Sequence, residues 1–216
     1  MRGHLLECAM LAVTESGSDF DVLPRVAAMA KVTPAQLRDH FRTSDELLRA
    51  VADALSNELV LIIEGATGEF VDAAKRIACG VRIYLQTACR CPGFARFVAR
   101  SGLGVTGPQS FIHQYLPGHL VSGAQTARFV EPVTPVGMDL VTGTTLAAVT
   151  RIAAGPVVPG YPEQVAAAIL RGLGVPGKQA HRLCIIELPV IAPRAGTMLA
   201  RARALQWDSS MLVPME

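Results

Sequence analysis

The chain is expected to be all-helical, and three observations carry that expectation. Apolar residues recur three and four apart, as in Leu47, Val51, Leu55 and Leu59, and again in Ile77, Val81, Tyr84 and Leu85. Helix starts are written as a capping residue followed by proline, at Thr33-Pro34 and Thr134-Pro135, with Pro162 opening another. No run alternates convincingly enough to make a strand. At 216 residues, 50% hydrophobic and with mean hydropathy of +0.35, the chain can bury a sizeable core. Charged residues make up only 18%, which is lean for a wholly solvated surface. Apolar surface is therefore expected to be covered between subunits or to line a cavity.

The first helix is expected over about Gly3 to Glu15, with Leu5, Leu6, Ala9, Met10 and Val13 on one face. Ser16 to Asp19 should stop it, through Gly17 and turn formers. Val22 to Phe41 reads as two short helices joined by a tight turn. Pro24 suits a first turn, and Val26, Ala27 and Ala30 give a small apolar face. Thr33 is an N-cap, Pro34 fits the first helical position, and Gln36 completes a capping box. Leu37 and Phe41, four apart, point the same way. Small residues between two short helices let them cross closely, as in a helix-turn-helix, with Thr33 to His40 as the second helix.

Thr43 and Glu46 form another capping box and open a long fourth helix to about Glu64. A fifth is expected from Gly68, carrying Phe70, Ala74 and Ile77, and ending near Cys91 because Pro92 restricts the residue before it. Gly93 to Ser101 is a short helix and Gly102 to Pro108 a loop. Ser110 to about Ala127 is helical, split or kinked at Pro117. Val130 to Pro135 is a proline-rich loop. Further helices are expected from Thr134 to about Ala154, from Pro162 to Leu173, and from Lys178 to Leu188. The tail from Pro193, with Arg194, Arg201 and Arg203, is a candidate for one more.

Along the first quarter, Cys8-Ala9, Val13, Gly17, Val26-Ala27, Ala30, Val32-Thr33-Pro34, Leu37, His40-Phe41 and Leu47-Leu48 follow one another at fixed spacing. This pattern resembles the N-terminal domain of tetracycline-repressor (TetR) family regulators, without a gap from Leu5 to Leu48. Three positions depart from it. Lys31 stands where the family usually has Gly, Arg38-Asp39 replace a pair led by Tyr, and Ser44 replaces a commonly phosphate-contacting Lys. The resemblance implies a DNA-binding head over 1–46 and an effector-binding, dimerising body over 47–216. It also implies a homodimer, a double-stranded DNA operator and a small-molecule effector as partners. No cofactor is expected.

Net charge is +2, which neither demands nor excludes nucleic acid. In the first fifty residues carboxylates slightly outnumber lysines and arginines, so DNA binding must rely on local placement of a few cations. No run of apolar residues is long enough for a membrane span, the richest being broken at Arg151 and ended by Gly155-Pro156. The odd number of cysteines and the lack of a secretory leader fit a reduced, cytoplasmic chain.

Candidate DNA-contacting residues are Lys31, Thr33, Ala35, Gln36, Arg38, His40 and Arg42. Gln36 can pair with adenine or simply complete the cap, and Ala35 can meet a thymine methyl or let the backbone approach. Lys31, Arg38, His40 and Arg42 are phosphate candidates, with a solvated helix residue as the plainer reading of Arg38. Tyr84, Phe94, Phe97, Phe111, His113 and Tyr115 are candidates for the effector pocket, because sparse polar groups among apolar ones are what small-molecule sites look like. The plainer reading of the 111–119 stretch is a partly exposed helix end. Gly143, Leu146, Thr150, Val165, Ala168 and Ile169 are candidates for the dimer interface, the plainer reading being an internal packing face.

Two glycine patterns, Gly102, Gly104, Gly107 and Gly172, Gly174, Gly177, match a dinucleotide-binding spacing but follow helices, and read better as helix ends. Cys89 and Cys91 with Cys79 and His113 could form a soft-metal or redox sensor, but no C-x-x-C pair accompanies them and the thiols read better as structural, with no metal site expected. No catalytic set stands out, so no enzyme activity is expected. The expected function is a ligand-responsive DNA-binding regulator, a repressor released by a small molecule. The alternative is a regulator-like helical dimer that binds a small molecule but has weak or no specific DNA binding.

Overall fold

The computed structural model describes residues 1–16, 22–107, 109–130, 134–191 and 195–201. Ten α-helices are assigned among them: α1 Arg2–Ser16, α2 Val22–Ala30, α3 Pro34–Arg38, α4 Ser44–Thr67, α5 Ala73–Arg90, α6 Pro92–Ser101, α7 Phe111–Gln125, α8 Val136–Ala154, α9 Tyr161–Gly172 and α10 Gly177–Cys184. A 3-10 turn, Gly102–Thr106, joins α6 to the chain before α7. No strand occurs among the described residues. The expected stop of α1 at Gly17 to Asp19, most of the loop after Val130, and the tail at Pro193, Arg194 and Arg203 lie outside the described residues.

α1 packs on α2 and α4, and α2 on α3. Leu5, Met10, Val22, Val26, Leu37, Phe41 and Leu47 close this N-terminal cluster, with Phe41 fully buried. Burying such a side chain contributes about 1.5–3 kcal/mol. α4 then runs on into the larger part of the molecule, where α5 packs on α8, α9 and α10, and α6 on α4 and α8. Ser56 of α4 meets Tyr84 of α5, and Glu64 and Arg76 both reach His119 of α7, so α4 and α5 run antiparallel. The core is continuous from Leu5 through Leu199.

Several expected boundaries move for physical reasons. α5 starts at Ala73, not Gly68, because Asp72 caps it by accepting from the Ala74 N–H at 2.9 Å. Phe70 is left outside the helix, under the Lys75 ammonium at 3.9 Å. Pro117 sits inside one unbroken helix, α7, and does not split it. Pro135 precedes the first helical residue, its carbonyl accepting from the Asp139 N–H, and the Thr134–Pro135 peptide is cis. α10 ends at Cys184 rather than Leu188, and the chain bends after it and passes beside α5, held by Arg82 Nη1 on the Ile186 carbonyl at 2.8 Å. Residues 102–106 are a 3-10 turn rather than open loop.

Candidate functional site

The edge of α3 is open to solvent. Thr33, Pro34, Ala35, Gln36, Arg38 and Asp39 are exposed, while Leu37 and Phe41 are buried beneath them. Lys31 and Arg42 are exposed on either side, and His40 is half-buried in the turn after α3. The helix start is rigidly closed. The Gln36 N–H donates to Thr33 Oγ1 at 3.2 Å, and Gln36 Oε1 accepts from the Thr33 N–H at 2.9 Å and from its hydroxyl at 3.1 Å. This occupies the Gln36 carbonyl oxygen in the cap, so the capping role expected for Gln36 is realised. Arg2 lies over the Phe41 ring at 4.4 Å and reaches the His40 carbonyl, a cation at the far end of α3 that the sequence reading did not single out.

α4 is fixed to the rest of the molecule near its start. Thr43 caps it by accepting from the Glu46 N–H at 3.1 Å, and Glu46 Oε2 accepts from the Arg42 N–H at 2.8 Å rather than from Thr43 itself. Arg100 of α6 bonds Asp45 in the first turn of α4 at 2.9 Å. The backbone of Gly104 lies against the Arg49 side chain, so the 3-10 turn also touches α4 close to its start.

A cavity of about 90 Å³ lies between α4, α5, the 3-10 turn, α7 and α8. Its walls are mostly apolar, from Val60, Ile63, Ile77, Val81, Leu116 and Val141. Two polar clusters and the threonines Thr106, Thr142 and Thr145 interrupt them. Ser56 Oγ and Tyr84 Oη are hydrogen-bonded at 2.9 Å. Burial pushes the Tyr84 phenol up to about 12, against the lowering effect of the Ser56 bond and with help from the charge of Asp53. Eight residues along both helices, His119 Nε2 meets the Glu64 carboxylate at 2.9 and 3.0 Å, and Arg76 Nη1 meets His119 Nδ1 at 3.4 Å.

Of the six residues expected to line an effector pocket, only Tyr84 does. Phe94 is fully buried, edge-on to Tyr84 with ring centroids 5.3 Å apart, and Phe97 is buried too, both outside the cavity wall. On α7 the wall is formed by Ile112, Leu116 and His119, spaced four and three. His113 is exposed, and Phe111 and Tyr115 fall off that stripe, so all three are corrected by helical phase. Leu146, expected at a dimer interface, lines the cavity instead.

The interface candidates divide in the same way. Leu146, Val165 and Ile169 are 7%, 8% and 0% exposed, so they pack inside one protomer and offer nothing to a second copy. Gly143 is half-buried, and Thr150 and Ala168 are exposed. Around them the outer face of α8 and α9 carries Ala147, Arg151, Ala154, Gln164 and Arg171. Some of the small residues serve the internal crossing: a Cβ on Gly172 of α9 would overlap Leu140 of α8 at 2.6 Å.

The sequence matches no family model and no curated protein. The three-dimensional structure does have neighbours. It is similar to RolR solved in complex with resorcinol, at TM-score 0.79 and 20% identity over 88% of this chain and 96% of that one. It is similar to the fatty acid degradation regulator FadR from Bacillus halodurans, at TM-score 0.60 and 15% identity over 78% and 94%. It is also similar to a TetR family transcription regulator from Marinobacter aquaeolei VT8, at TM-score 0.56 and 16% identity over 89% and 96%. The fold is that of the TetR-family regulators. The resemblance read from Leu5 to Leu48 falls on α1 to α3 and the start of α4.

Within this fold the glycine patterns are helix ends. Gly102, at φ 52°, closes α6, and Gly174, at φ 94°, follows α9. Among the described residues no group of three or more His, Cys, Asp or Glu could hold a metal ion; Cys91 and Cys79 are buried and Cys89 is exposed. Among the described residues no helix is long and apolar enough to cross a membrane. The polar cavity residues that sequence reasoning missed are Ser56, Glu64, Arg76, Thr106, Thr142 and Thr145, whereas His119 lies in the 111–119 stretch weighed as pocket lining. A signal for them existed. Ser56, Val60 and Glu64 share one face of α4 at spacing four, and Arg76, Gly80 and Tyr84 do so on α5, with a mid-helix glycine opening the wall.

Proposed function

We propose that the chain is a one-component transcriptional regulator: a homodimer with a DNA-binding head over 1–46 and a regulatory body over 47–216, responsive to a small molecule. The observation that carries the reading is the outward edge of α3, rigidly capped, over a buried Leu37 and Phe41. An edge of this kind enters a major groove, with Lys31, Arg38, Arg42 and the half-buried His40 placed for phosphates and Thr33 and Ala35 nearest base edges. Paired through the outer face of α8 and α9, two such edges about 34 Å apart read one near-palindromic operator.

α4 makes a ligand in the body matter to the head. It lines the cavity with Ser56, Val60, Ile63 and Glu64 and begins beside α3. The 3-10 turn contributes Val105 and Thr106 to the same wall and rests Gly104 on Arg49, while α6 holds Asp45 through Arg100. A ligand that fits one arrangement of α4 and the 3-10 turn better than the other shifts the spacing of the heads, by its difference in affinity for the two. That RolR was solved with resorcinol, in a similar fold, supports a small molecule as the effector. Loss of operator on ligand binding, hence repression relieved by the effector, is the sign we propose. The regulator reading leaves no role for catalysis.

A second reading, a ligand-binding dimer with little specific DNA binding, is favoured by exposed Asp39 and Asp45 among the few cations of the head. Binding-site selection with the purified full chain decides between them. The first reading expects a selected palindrome whose affinity falls steeply with salt; no sequence retained even at low salt overturns it in favour of the second.

A further inference from the structure

α8 carries four threonines, of which Thr142 and Thr145 line the cavity, and their hydroxyls behave differently. Thr142 and Thr150 turn their hydroxyls back onto the Met138 and Leu146 carbonyls at 2.8 and 3.0 Å. Thr145 is 9% exposed and lines the cavity, and its Oγ1 is buried without a hydrogen-bond partner. A buried hydroxyl left unpaired is costly, and here it does not bond back onto the helix carbonyl one turn earlier as the hydroxyls of Thr142 and Thr150 do. A second orphan lies elsewhere in the wall. Arg76 gives Nη1 to His119 and Nη2 to the Gly68 carbonyl at 2.6 Å, while its Nε–H is buried with no partner.

The two orphans sit at opposite ends. Ser56 and Tyr84 lie eight residues from Glu64 and Arg76 on antiparallel helices, about 12 Å along the axis. Gly137 of α8 lies against Leu120, next to His119, so Thr145, eight residues on, reaches the level of Ser56 and Tyr84. The cavity is thus an apolar sleeve with an unused donor at each end. Its volume of about 90 Å³ is below the ~150 Å³ of a cavity that admits benzene, so it takes at most a single ring, with some opening of the walls, and excludes a long acyl chain. Charge narrows the class further. Beside the Arg76 guanidinium stands the Glu64 carboxylate, so an anionic group entering that end meets a negative charge as well as a positive one.

We propose that the cavity takes an uncharged, single-ring molecule with hydroxyl or carbonyl oxygens at opposite ends, one accepting from the Thr145 hydroxyl and the other from the Arg76 Nε–H. This deepens the regulator reading and rests on it for the ligand's role, though not for its binding. Thr145 is then the residue that discriminates a ring with two oxygens from a ring with one.

The test is calorimetric titration of the full-length protein, without DNA, using toluene, phenol, catechol, benzoate and anaerobic hydroquinone as probes. Hydroquinone is expected to bind about tenfold more tightly than phenol, the worth of one added hydrogen bond. Catechol, whose oxygens are adjacent and reach only one end, should bind like phenol, and benzoate should bind no better than toluene. Thr145→Val should bring hydroquinone to within about twofold of phenol, and should raise the thermal midpoint of the ligand-free protein by removing the orphan hydroxyl. Arg76→Lys, which removes the Nε–H and keeps the charge, should cost hydroquinone a similar factor. Benzoate or toluene binding as tightly as hydroquinone, or Thr145→Val leaving hydroquinone affinity unchanged, overturns the proposal. If hydroquinone binds as expected but does not change operator affinity, the ligand class stands and the regulator reading fails; if operator is released only by molecules outside this class, the reverse holds.

Discussion

Lys31 turns the chain from α2 into α3 at φ 56°, the left-handed region that a side chain occupies at a cost of about 1–2 kcal/mol. The family pattern carries Gly at this place, and the backbone gives the reason. Lys31→Gly is therefore expected to raise stability by about 1 kcal/mol in denaturant unfolding while weakening DNA binding, because the exposed ammonium goes with it. A variant that gains stability and loses no affinity would take Lys31 out of the contact set. Gln36 belongs to the same turn. With its carbonyl oxygen held by Thr33, Gln36→Ala should weaken binding to all operators alike and cost about 0.5–1 kcal/mol of stability, rather than relax preference at a single base pair. Selective relaxation at one position, measured on a panel of operator variants, would restore Gln36 to base reading. Both residues were legible in the sequence, since cap and turn chemistry is local. The cavity residues were harder to place, because which stripe of α7 faces inward depends on how the helix is rotated against α4 and α5. His113 and His119 differ only in that phase.

The helix starts and stops that depend on near neighbours came through from sequence: Thr33 and Thr43 cap, Pro162 opens a helix, and α5 ends just before Pro92, which itself begins the helix expected from Gly93. The start of α5 did not, because Asp72 is selected as a cap partly by a distant residue. Arg128 donates to both its oxygens, at 3.0 and 2.8 Å, from fifty-six residues away. Burial alone would raise the Asp72 carboxyl, but the Arg128 bonds and the Ala74 N–H together hold it below its ordinary value. A depressed folded-state value adds stability that is present above the unfolded value and lost as pH falls through the folded one. Asp72→Ala should cost about 1 kcal/mol near neutrality, and the gap between it and the parent should close as pH falls below the ordinary carboxylate range. A gap independent of pH would mean that the carboxylate charge contributes nothing. Asp53 on α4 is the opposite case. Burial raises its carboxyl, against the nearby Arg49, and Oδ1 has no hydrogen-bond partner. A raised acid penalises the fold increasingly as pH rises past its unfolded value. Asp53→Asn should thus raise the thermal midpoint at neutral pH, with the gain vanishing in acid; a loss at neutral pH would show that the charge is used.

At the scale of the molecule, the expected small-residue faces of α8 and α9 divide between the core and the surface. Leu146, Val165 and Ile169 face inward, and only Gly143, Thr150 and Ala168 lie where a second copy could meet them. Periodicity names such faces but not which of them ends in the core, since α8 has neighbours on more than one side. The proposed regulator needs both: an inward face that shapes the cavity, and an outward face that sets the distance between two heads. The claim that most depends on this is that two α3 edges grip one operator at a fixed spacing. The direct measurement is the affinity and stoichiometry of the full chain on its selected operator, compared with the same operator carrying about five extra base pairs, half a turn, between its half-sites. Two protomers per operator and a loss of at least about tenfold on insertion are expected, since the second head then faces the wrong side of the duplex. Equal affinity for both operators, or one protomer bound at saturation, would contradict the account.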